Sequence, residues 1–451
     1  MQTFYIKTLG CKLNQYDSQV IEEVLCNQSF KRVDDYLSAQ LVILNTCTVT
    51  SRSDYQARRL IRKVKRENPN CRLVVTGCYA QRSPQEMAQI TGVDLILGNE
   101  NKSQIAQIIK KLFSKKTPIV LHQNYSGQEK ASFYPIRNFS HHTRAFLKIQ
   151  EGCNYRCSYC IIPYVRGRSR SVPGEKLLST IQGLLAKGFK EIVITGIDIG
   201  SWKEPGSEGK ALLYLLQQIE KIDLPFRIRL SSIEPGEMKE ELLEFIASSE
   251  KVVPHLHIPL QSGSNRILRA MNRPYKVEYY IKLINRIKEK IPSLCLGSDI
   301  IVGFPGEGEE EFRQTYQLIE SLPFSYLHIF PFSPRSGTPA AELKQTTTNQ
   351  IITDRAKLLR QLSVEKNFNF RSSFKGKVLS CLVLAKARTA EKLLALSDNY
   401  IKISFEGDEG LKNQLIPLKI IRVSREETLG QYIGRSLRPI LKQPLEAKKE
   451  G

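Results

Sequence analysis

The sequence of 451 residues lacks any long hydrophobic run. No uninterrupted apolar stretch reaches the roughly 20 residues that a membrane-spanning helix requires. Residues 1–10 also lack the charged segment followed by an apolar segment that is typical of a secretory signal. These two absences argue against a membrane-spanning or secreted protein, so we expect a cytoplasmic location and no membrane partner.

Acidic side chains are few relative to basic ones. Lys and Arg total 67, Asp and Glu total 45, and the formal net charge is +22. A basic excess favours a polyanionic partner, because each neutralised phosphate releases counterions. A generally basic, solvated surface would explain the same composition. Charge alone therefore leaves both interpretations open.

Ten cysteines are present, which is many for a chain without a secretory signal. In a short secreted protein they would indicate a disulfide framework. Here the chain is long and the cysteines are widely scattered. Metal binding or catalysis is the better starting hypothesis.

Short β-rich runs alternate with charged, helix-like stretches in the first third of the chain. This alternation is typical of βαβ units and a parallel sheet. The predicted strands are 4–9, 41–44, 73–75 and 95–97, and the predicted helices are 17–27, 54–68 and 84–90. We expect a doubly wound parallel-sheet domain over residues 1–114, followed by a polar linker over 115–143 where the periodicity fails.

The alternation resumes on a larger scale beyond the linker. The predicted strands there are 145–149, 191–195, 227–231, 255–259, 296–302 and 326–330. They indicate a central, open or partial (β/α)6 barrel over residues 144–370, which makes the fold class α/β.

Short strands without long helices then predict a small antiparallel β-barrel over 371–440, ahead of a tail over 441–451. This class includes oligonucleotide-binding folds. A β domain that only packs on the rest of the chain would show the same pattern, so the pattern does not decide between the two.

The most informative local motif contains Cys153, Cys157 and Cys160, spaced C-x3-C-x2-C directly after a predicted strand. Three thiolates on one loop can hold three irons of a 4Fe–4S cluster and leave the fourth iron open to another ligand. Zinc competes, but structural zinc prefers four closed ligands, and no fourth Cys or His follows nearby. Burial as packing residues is the remaining alternative.

A second set of cysteines is dispersed along the chain. Cys11, Cys47 and Cys78 end three successive predicted strands. Because the carboxyl ends of parallel strands share one edge, where ligands bind, we expect these thiols to converge. Any one of them alone would be interpreted as a small buried residue. The other four cysteines show no such placement and are assigned to packing: Cys26, Cys71, Cys295 and Cys381.

Four loops of the predicted barrel carry glycines, carboxylates or an amide directly after a strand. They are 195–198, 231–234, 261–264 and 303–307. A (β/α) barrel places its active-site residues at such positions. Ordinary turn chemistry explains the same residue types.

These segments together resemble the radical S-adenosylmethionine (SAM) methylthiotransferases. Residues 8–16, 45–50 and 76–81 are similar to three blocks of the amino-terminal domain of that family, and 153–167 are similar to its radical SAM signature. The resemblance extends from residue 1 to about 435. It includes a carboxy-terminal segment similar to the RNA-binding TRAM domain.

The resemblance implies two 4Fe–4S clusters and SAM as cofactors. Cys153, Cys157 and Cys160 would hold the cluster that binds and cleaves SAM, with Tyr159 beside the adenine. The further SAM contacts would be Gly196, Glu234 and Gln261. Cys11, Cys47 and Cys78 would hold an auxiliary cluster that carries the sulfur. No side chain is expected to act as a catalytic acid or base, since the cofactor performs the bond cleavage.

The resemblance also implies a substrate and partners. Residues 9–16 and 260–275 are most similar to the branch that converts N6-threonylcarbamoyladenosine, next to the anticodon of tRNA, to its 2-methylthio derivative. The isopentenyladenosine branch is the near alternative, and the ribosomal-protein aspartate branch is further away. A non-catalytic iron–sulfur RNA-binding protein is the alternative of a different class.

The implied partners are three. They are the tRNA anticodon stem-loop, a low-potential electron donor of the flavodoxin or ferredoxin type, and a sulfur donor.

Overall fold

The computed structural model describes residues 2–100, 102–112, 119–125, 131–137, 139, 142–386 and 392–434. The tail expected over 441–451 lies outside this part. A parallel-sheet unit, a curved β/α unit and a closed β-barrel follow one another along the chain. The predicted α/β class and all three architectures are confirmed.

The amino-terminal unit is a six-stranded parallel sheet with the order β2-β1-β3-β4-β5-β6. Its strands are β1 (Thr3–Thr8), β2 (Lys31–Arg32), β3 (Leu41–Thr46), β4 (Arg72–Gly77), β5 (Leu95–Leu97) and β6 (Ile119–Leu121). Its helices are α1 (Lys12–Cys26), α2 (Ser51–Glu67), α3 (Cys78–Arg82), α4 (Pro84–Ala88) and α5 (Ile105–Leu112). Every residue of β3 is buried, as expected for a central parallel strand that is covered on both faces.

Several features of this unit differ from the sequence-based expectation, since β2, α3 and α5 were not predicted. Helix α1 begins at Lys12, five residues before the predicted start. The prediction missed this part because polar Asn14 and Asp17 occupy buried positions, which masks the helical pattern of apolar residues. The segment 115–143, predicted as a linker, contributes edge strand β6 to the sheet. Three apolar residues between polar neighbours are too short a signal to identify such a strand.

The central unit is a partial barrel of six parallel strands. They are β7 (Ala145–Lys148), β10 (Glu191–Thr195), β11 (Arg227–Leu230), β12 (His255–His257), β13 (Cys295–Val302) and β14 (Tyr326–Pro331). They form two three-stranded sheets, β11-β10-β7 and β12-β13-β14. Parallel bridges from Ile228 to Val252 and from Ser232 to His257 connect the two sheets. The barrel therefore runs from β7 to β14, and these two strands are its ends.

The helices of the central unit surround the barrel. They are α6 (Ile162–Arg166), α7 (Gly174–Ala186), α8 (Leu212–Glu220), α9 (Glu240–Ser248), α10 (Asn265–Ala270), α11 (Val277–Lys290), α12 (Glu309–Ser321) and α13 (Asn349–Ser372). Among them, the short α6 contacts the amino-terminal unit. A short hairpin of β8 (Gln150–Glu151) and β9 (Arg170–Ser171) flanks the cysteine loop. One apolar core extends from the amino-terminal sheet into the barrel. No helix in the described part is long and apolar enough to span a membrane.

The carboxy-terminal unit is a closed five-stranded barrel with the order β15-β16-β17-β19-β18. Its strands are β15 (Val378–Lys386), β16 (Leu393–Ser397), β17 (Lys402–Phe405), β18 (Leu415–Val423) and β19 (Thr428–Tyr432). The fifth strand, β19, was not predicted. Its sequence, Thr-Leu-Gly-Gln-Tyr, contains a glycine and little apolar alternation.

Candidate metal centres and cofactor site

The first cysteine set lies at one edge of the amino-terminal sheet. Cys11 follows β1, Cys47 follows β3 and Cys78 follows β4, and these three strands are neighbours. The three thiols are free and interact electrostatically with one another. Cys47 and Cys78 are buried, whereas Cys11 is exposed at the rim. The predicted convergence of these three residues is therefore present in the fold.

Two glycines make this close approach possible. Gly10 has a φ of +100°, and a Cβ on it would lie 2.6 Å from the Cβ and 3.0 Å from the Sγ of Cys47. Gly77 has a φ of +94°, and a Cβ there would lie 2.3 Å from the carbonyl oxygen of Thr46. Any larger residue would combine backbone strain with a steric clash. The glycines before Cys11 and Cys78 are thus required by the close packing of the strand ends.

The second cysteine set occupies the loop between β8 and α6. Its thiols also interact with one another; Cys157 is buried and the other two are half-buried. The amide of Cys160 donates to the carbonyl oxygen of Cys157 over 3.0 Å, and that of Cys153 donates to Gly167 over 3.1 Å. These bonds hold three thiols on one compact turn.

The environment of both sets disfavours free thiolates in the absence of a cation. Burial, together with the neighbouring Cys78, raises the pKa of Cys47 to about 12. Burial and the neighbouring Cys157 raise the pKa of Cys160 to about 12. Thiolates are the metal-binding form, and a bound cation offsets the cost of removing their protons. Two sets of three converging thiols fit one iron–sulfur cluster each.

Arg166 connects the two cysteine sets. This arginine ends α6, which follows the second loop, and its Nε lies 3.3 Å from the Sγ of Cys78 in the first set. It also donates to Glu151 over 2.8 Å, to Asn14 over 2.7 Å and to Asp17 over 3.0 Å. Its side chain is only 1% exposed. Cys78 also packs against Ile161, the residue after Cys160, so the two candidate centres lie on either side of the contact between the first two units.

Arg273 makes the corresponding contact in the second set. Its Nη1 lies 3.1 Å from the Sγ of Cys157, and its guanidinium forms an ion pair with Glu234. A buried guanidinium thus stands beside each group of thiols, where it offsets the negative charge of three thiolates. Sequence reasoning included both arginines in motif segments but gave them no role. Only their three-dimensional contacts identify it.

The four predicted SAM-contact residues lie at the loops that follow the barrel strands. Tyr159 is half-buried and interacts electrostatically with Cys157 and Arg273. Glu234 also lies there, with its carboxylate engaged by Arg273. Gln261 is buried in a left-handed conformation with a φ of +69°.

Gly196 packs against the loop between β7 and β8. A Cβ on Gly196 would lie 2.9 Å from Oε1 of Gln150. The same oxygen accepts hydrogen bonds from the amides of Ile197 and Asp198 over 3.1 and 3.0 Å. Gln150 thereby fixes the loop that carries Asp198.

Asp198 is a functional candidate that sequence reasoning did not single out. Its side chain is buried, and neither carboxylate oxygen has a hydrogen-bond partner among the described residues. Burial and the nearby Glu237 raise its pKa to about 7, whereas the nearby Ser201 hydroxyl and the charge of Arg273 oppose this rise. The carboxylate interacts electrostatically with Cys153. A buried acceptor without a donor, beside the cysteine loop, fits a ligand that supplies hydroxyl or ammonium groups, as SAM does.

The barrel interior is lined by polar side chains. His257 Nε2 and His328 Nδ1 lie 2.9 and 3.1 Å from the same oxygen of Asp299, and His257 also contacts the hydroxyl of Tyr326. These histidines hold the pKa of Asp299 well below its ordinary value despite burial. Lys12 enters from the amino-terminal unit; burial, then nearby arginines, lower its pKa to about 8.

Two family models match the sequence. The Radical SAM superfamily matches residues 147–319, and Uncharacterized protein family UPF0004 matches residues 3–98. The first match covers barrel strands β10 to β13 and the second cysteine set. The second match covers sheet strands β1 to β5 and the first cysteine set.

A solved structure shows the same fold at low sequence identity. The radical S-adenosylmethionine methyltransferase TsrM from Kitasatospora setae, with cobalamin and a 4Fe–4S cluster bound, has a TM-score of 0.56 and 15% identity. The similarity covers 76% of this chain and 74% of that chain. It indicates a shared fold only.

Curated relatives match along almost the whole chain. Threonylcarbamoyladenosine tRNA methylthiotransferase MtaB of Bacillus subtilis is 37% identical over 96% of this chain and 97% of the relative. The protein of the same name from Aquifex aeolicus is 40% identical over 89% of this chain and 96% of the relative. The tRNA-2-methylthio-N(6)-dimethylallyladenosine synthase of Carboxydothermus hydrogenoformans is 34% identical over 93% and 96%. With these relatives and both cysteine sets in place, the chain belongs to the radical SAM tRNA methylthiotransferase family.

Proposed function

We propose that this protein converts N6-threonylcarbamoyladenosine, next to the anticodon of tRNA, to its 2-methylthio derivative. The observation that carries the proposal is the pair of cysteine sets that face each other through Arg166 and Cys78. Such a pair suits a reaction that needs both a radical source and a sulfur source at one substrate. Two MtaB relatives of 37% and 40% identity support the choice of adenosine.

The cysteines divide between two clusters in this proposal. Cys153, Cys157 and Cys160 hold the cluster that binds SAM, and Cys11, Cys47 and Cys78 hold the auxiliary cluster. When bound, these cofactors supply the radical chemistry and the sulfur, because an aromatic carbon–hydrogen bond offers no useful route to acid–base catalysis. The residues of the chain therefore position the reactants and need not supply a general base.

The surrounding residues hold SAM in place. Asp198 accepts hydrogen bonds from hydroxyl or ammonium groups of SAM, since its own oxygens have no partner in the described part. Glu234 is oriented by its ion pair with Arg273 and adds negative charge beside a cationic sulfonium. Tyr159 and Gln261 line the same site, and Gly196 permits the close packing of its loop on Gln150.

The alternatives are less well supported. The relative that is named for dimethylallyladenosine is 34% identical, below both MtaB relatives described above. A non-catalytic RNA-binding protein would have no use for the second cysteine set. It would also have no reason to keep the unpartnered Asp198 carboxylate beside that set.

The partners follow from the chemistry. The anticodon stem-loop of tRNA is the substrate. A low-potential electron donor of the flavodoxin or ferredoxin type reduces the SAM cluster, and a sulfur donor replenishes the auxiliary cluster. The cytoplasm, where tRNA is modified, is the proposed location.

The direct test is the reaction with defined RNA. Anaerobically reconstituted protein, which we expect to hold about eight irons, is mixed with SAM, dithionite and anticodon stem-loops carrying either threonylcarbamoyladenosine or isopentenyladenosine. We expect the 2-methylthio product by mass spectrometry from the first RNA. Product from the second RNA alone would refute the substrate assignment.

Cysteine variants test the division of roles. Changing Cys153, Cys157 and Cys160 to Ala should remove about half of the iron and abolish SAM cleavage. Changing Cys11, Cys47 and Cys78 should remove the other half and abolish the product, while reductive SAM cleavage continues. Zinc in place of iron after anaerobic preparation, or full product formation by the second variant, would overturn this division.

A further inference from the structure

Cationic side chains cluster around Glu191 on the inner face of the barrel. The carboxylate of Glu191 in β10 forms ion pairs with three guanidinium groups. The nitrogen-to-oxygen distances are 2.6 Å for Arg227, 3.0 Å for Arg229 and 3.4 Å for Arg144. The carboxylate of Asp398, from the carboxy-terminal barrel, is a second acidic group beside Arg227 and Arg229. Three buried or half-buried guanidinium groups thus share these two carboxylates.

Lys12 adds a fourth cation to this region. It follows Cys11 directly and is half-buried. Its ammonium interacts electrostatically with Arg144, Arg229 and Glu191, and His255 of β12 also experiences its charge, which places it on the barrel side of α1. It makes no hydrogen bond or ion pair with any residue in the described part of the chain. A half-buried ammonium without a hydrogen-bond acceptor, near two guanidinium groups, is suited to an anion from outside the chain.

The position of Lys12 relates it to the substrate. It is the neighbour of Cys11, in the set that is proposed to deliver sulfur to carbon 2 of the adenine. Carbon 2 and the nitrogen-6 substituent lie on the same edge of an adenine ring. A side chain beside the sulfur source therefore lies on the side of the base that carries the substituent.

We propose that Lys12 binds the carboxylate of the threonylcarbamoyl group and is the residue that selects this adenosine. The inference rests on the proposed function. A threonylcarbamoyl group brings one carboxylate to an ammonium that has no other partner. An isopentenyl group brings none, and its binding would leave the ammonium unpaired and further desolvated. Discrimination of this kind is strong because the wrong substrate leaves a buried polar group without a partner.

Binding measurements with substituted protein test this role. Lys12→Met keeps the length of the side chain and removes its charge, Lys12→Arg keeps the charge, and Lys7→Met removes an exposed lysine from the preceding strand. Dissociation constants are measured for three anticodon stem-loops that carry threonylcarbamoyladenosine, isopentenyladenosine or unmodified adenosine. Iron content and RNA-independent SAM cleavage are recorded for each variant, so that misfolding is recognised.

For the wild type we expect tighter binding of the threonylcarbamoyl RNA than of the other two. Lys12→Met should weaken that binding about tenfold or more, the effect of losing a charge-assisted hydrogen bond. It should leave the isopentenyl RNA unchanged or bound more tightly. Lys12→Arg should retain most of the preference, and Lys7→Met should retain all of it.

Two results would overturn the role of Lys12. One is a Lys12→Met variant that keeps the full preference, and the other is an equal loss for all three RNAs, which would indicate a general phosphate contact. Failure of the proposed function is a different result. In that case the wild type itself would show no preference for the threonylcarbamoyl RNA and would methylthiolate the isopentenyl RNA.

Discussion

At the residue scale, the candidate site depends on charges that compensate one another over short distances. Each set of three thiols has an arginine against one sulfur: Arg166 beside Cys78 and Arg273 beside Cys157. Each arginine is in turn held by a carboxylate, Glu151 or Glu234. In contrast to these paired charges, the buried carboxylate of Asp198 has no hydrogen-bond partner among the described residues.

The prediction at this scale concerns Asp198. Asp198→Asn is nearly isosteric, so the loop should keep its shape while the carboxylate loses its charge. We expect iron content to remain the same and SAM affinity to fall about tenfold or more, because a charged acceptor is lost. Equilibrium binding of SAM to the reconstituted protein measures this. Exposed Asp223→Asn is the matched control, and equal SAM affinity in both variants would remove Asp198 from the site.

The cysteines could be predicted from the sequence, whereas the residues around them could not. Cys11, Cys47 and Cys78 are recognisable because each ends a predicted strand, and parallel topology brings strand ends together. The second set is recognisable by local spacing alone. Arg166 contacts Cys78 across 88 positions of the chain. No local sequence pattern indicates a contact between residues so far apart. The unpartnered state of the Asp198 carboxylate is likewise visible only in the three-dimensional structure.

At the scale of elements, strand β11 joins the central barrel to the carboxy-terminal barrel. Arg227 donates to the carbonyl oxygen of Leu396 over 2.8 Å, and Arg229 donates to that of Asp398 over 2.8 Å. Glu191 of β10 holds both guanidinium groups in place. Glu191 thus supports one contact that orients the carboxy-terminal barrel, and Arg371 of α13, which donates to Glu427 over 3.1 Å, supplies another.

The pH dependence of stability should report on Glu191. Although burial opposes it, Arg229 and Arg227 hold the pKa of Glu191 well below its ordinary value. A depressed folded-state pKa contributes stability above the unfolded pKa of about 4.3, and this contribution is lost as the pH falls. Glu191→Gln should therefore lower the denaturation midpoint at pH 7.

The difference between Glu191→Gln and the wild type should shrink as the pH falls below about 4. Denaturation midpoints measured from pH 3 to pH 8 test this. Glu175→Gln on the exposed face of α7 is the matched control. A difference that stayed constant over this range would contradict the ion-pair explanation.

Most elements could be predicted from hydrophobic pattern, and the exceptions have physical causes. All six strands of the central barrel were predicted to within a few residues, because buried parallel strands are runs of apolar residues bounded by turns. Strands β2, β6, β8, β9 and β19 were missed. The first four contain only two or three residues each, and β19 contains a glycine and little apolar alternation, so their pairing partners rather than their composition determine that they are strands.

At the scale of the whole molecule, the net charge of +22 fits a tRNA substrate. The carboxy-terminal barrel is one candidate surface for RNA, with exposed Lys375 and Lys377 at its start. The basic helix α2, with Arg58, Arg59, Arg62 and Lys63, is another. Lys386 and Arg388 are further basic residues of the carboxy-terminal surface. Arg388 and the side chain of Lys386 lie outside the part that the structure describes.

Charge reversal distinguishes the two surfaces. Lys375→Glu with Lys377→Glu should weaken tRNA binding and flatten its dependence on salt concentration, because fewer counterions are released per complex. SAM cleavage without RNA should change little. Affinity at several salt concentrations measures both effects, with Lys221→Glu on the central unit as the matched control. If tRNA affinity and its dependence on salt concentration were unchanged, RNA recognition would be assigned to α2 or to the central barrel.

The measurement that tests the central claim most directly is nucleoside mass spectrometry of tRNA from a strain that lacks the gene. The account predicts that 2-methylthio-N6-threonylcarbamoyladenosine disappears and that its unthiolated precursor accumulates. The wild-type gene should restore the modification, and a gene with Cys47→Ala should not. Unchanged levels of this nucleoside in the deletion strain, or loss of the isopentenyl counterpart in its place, would contradict the account.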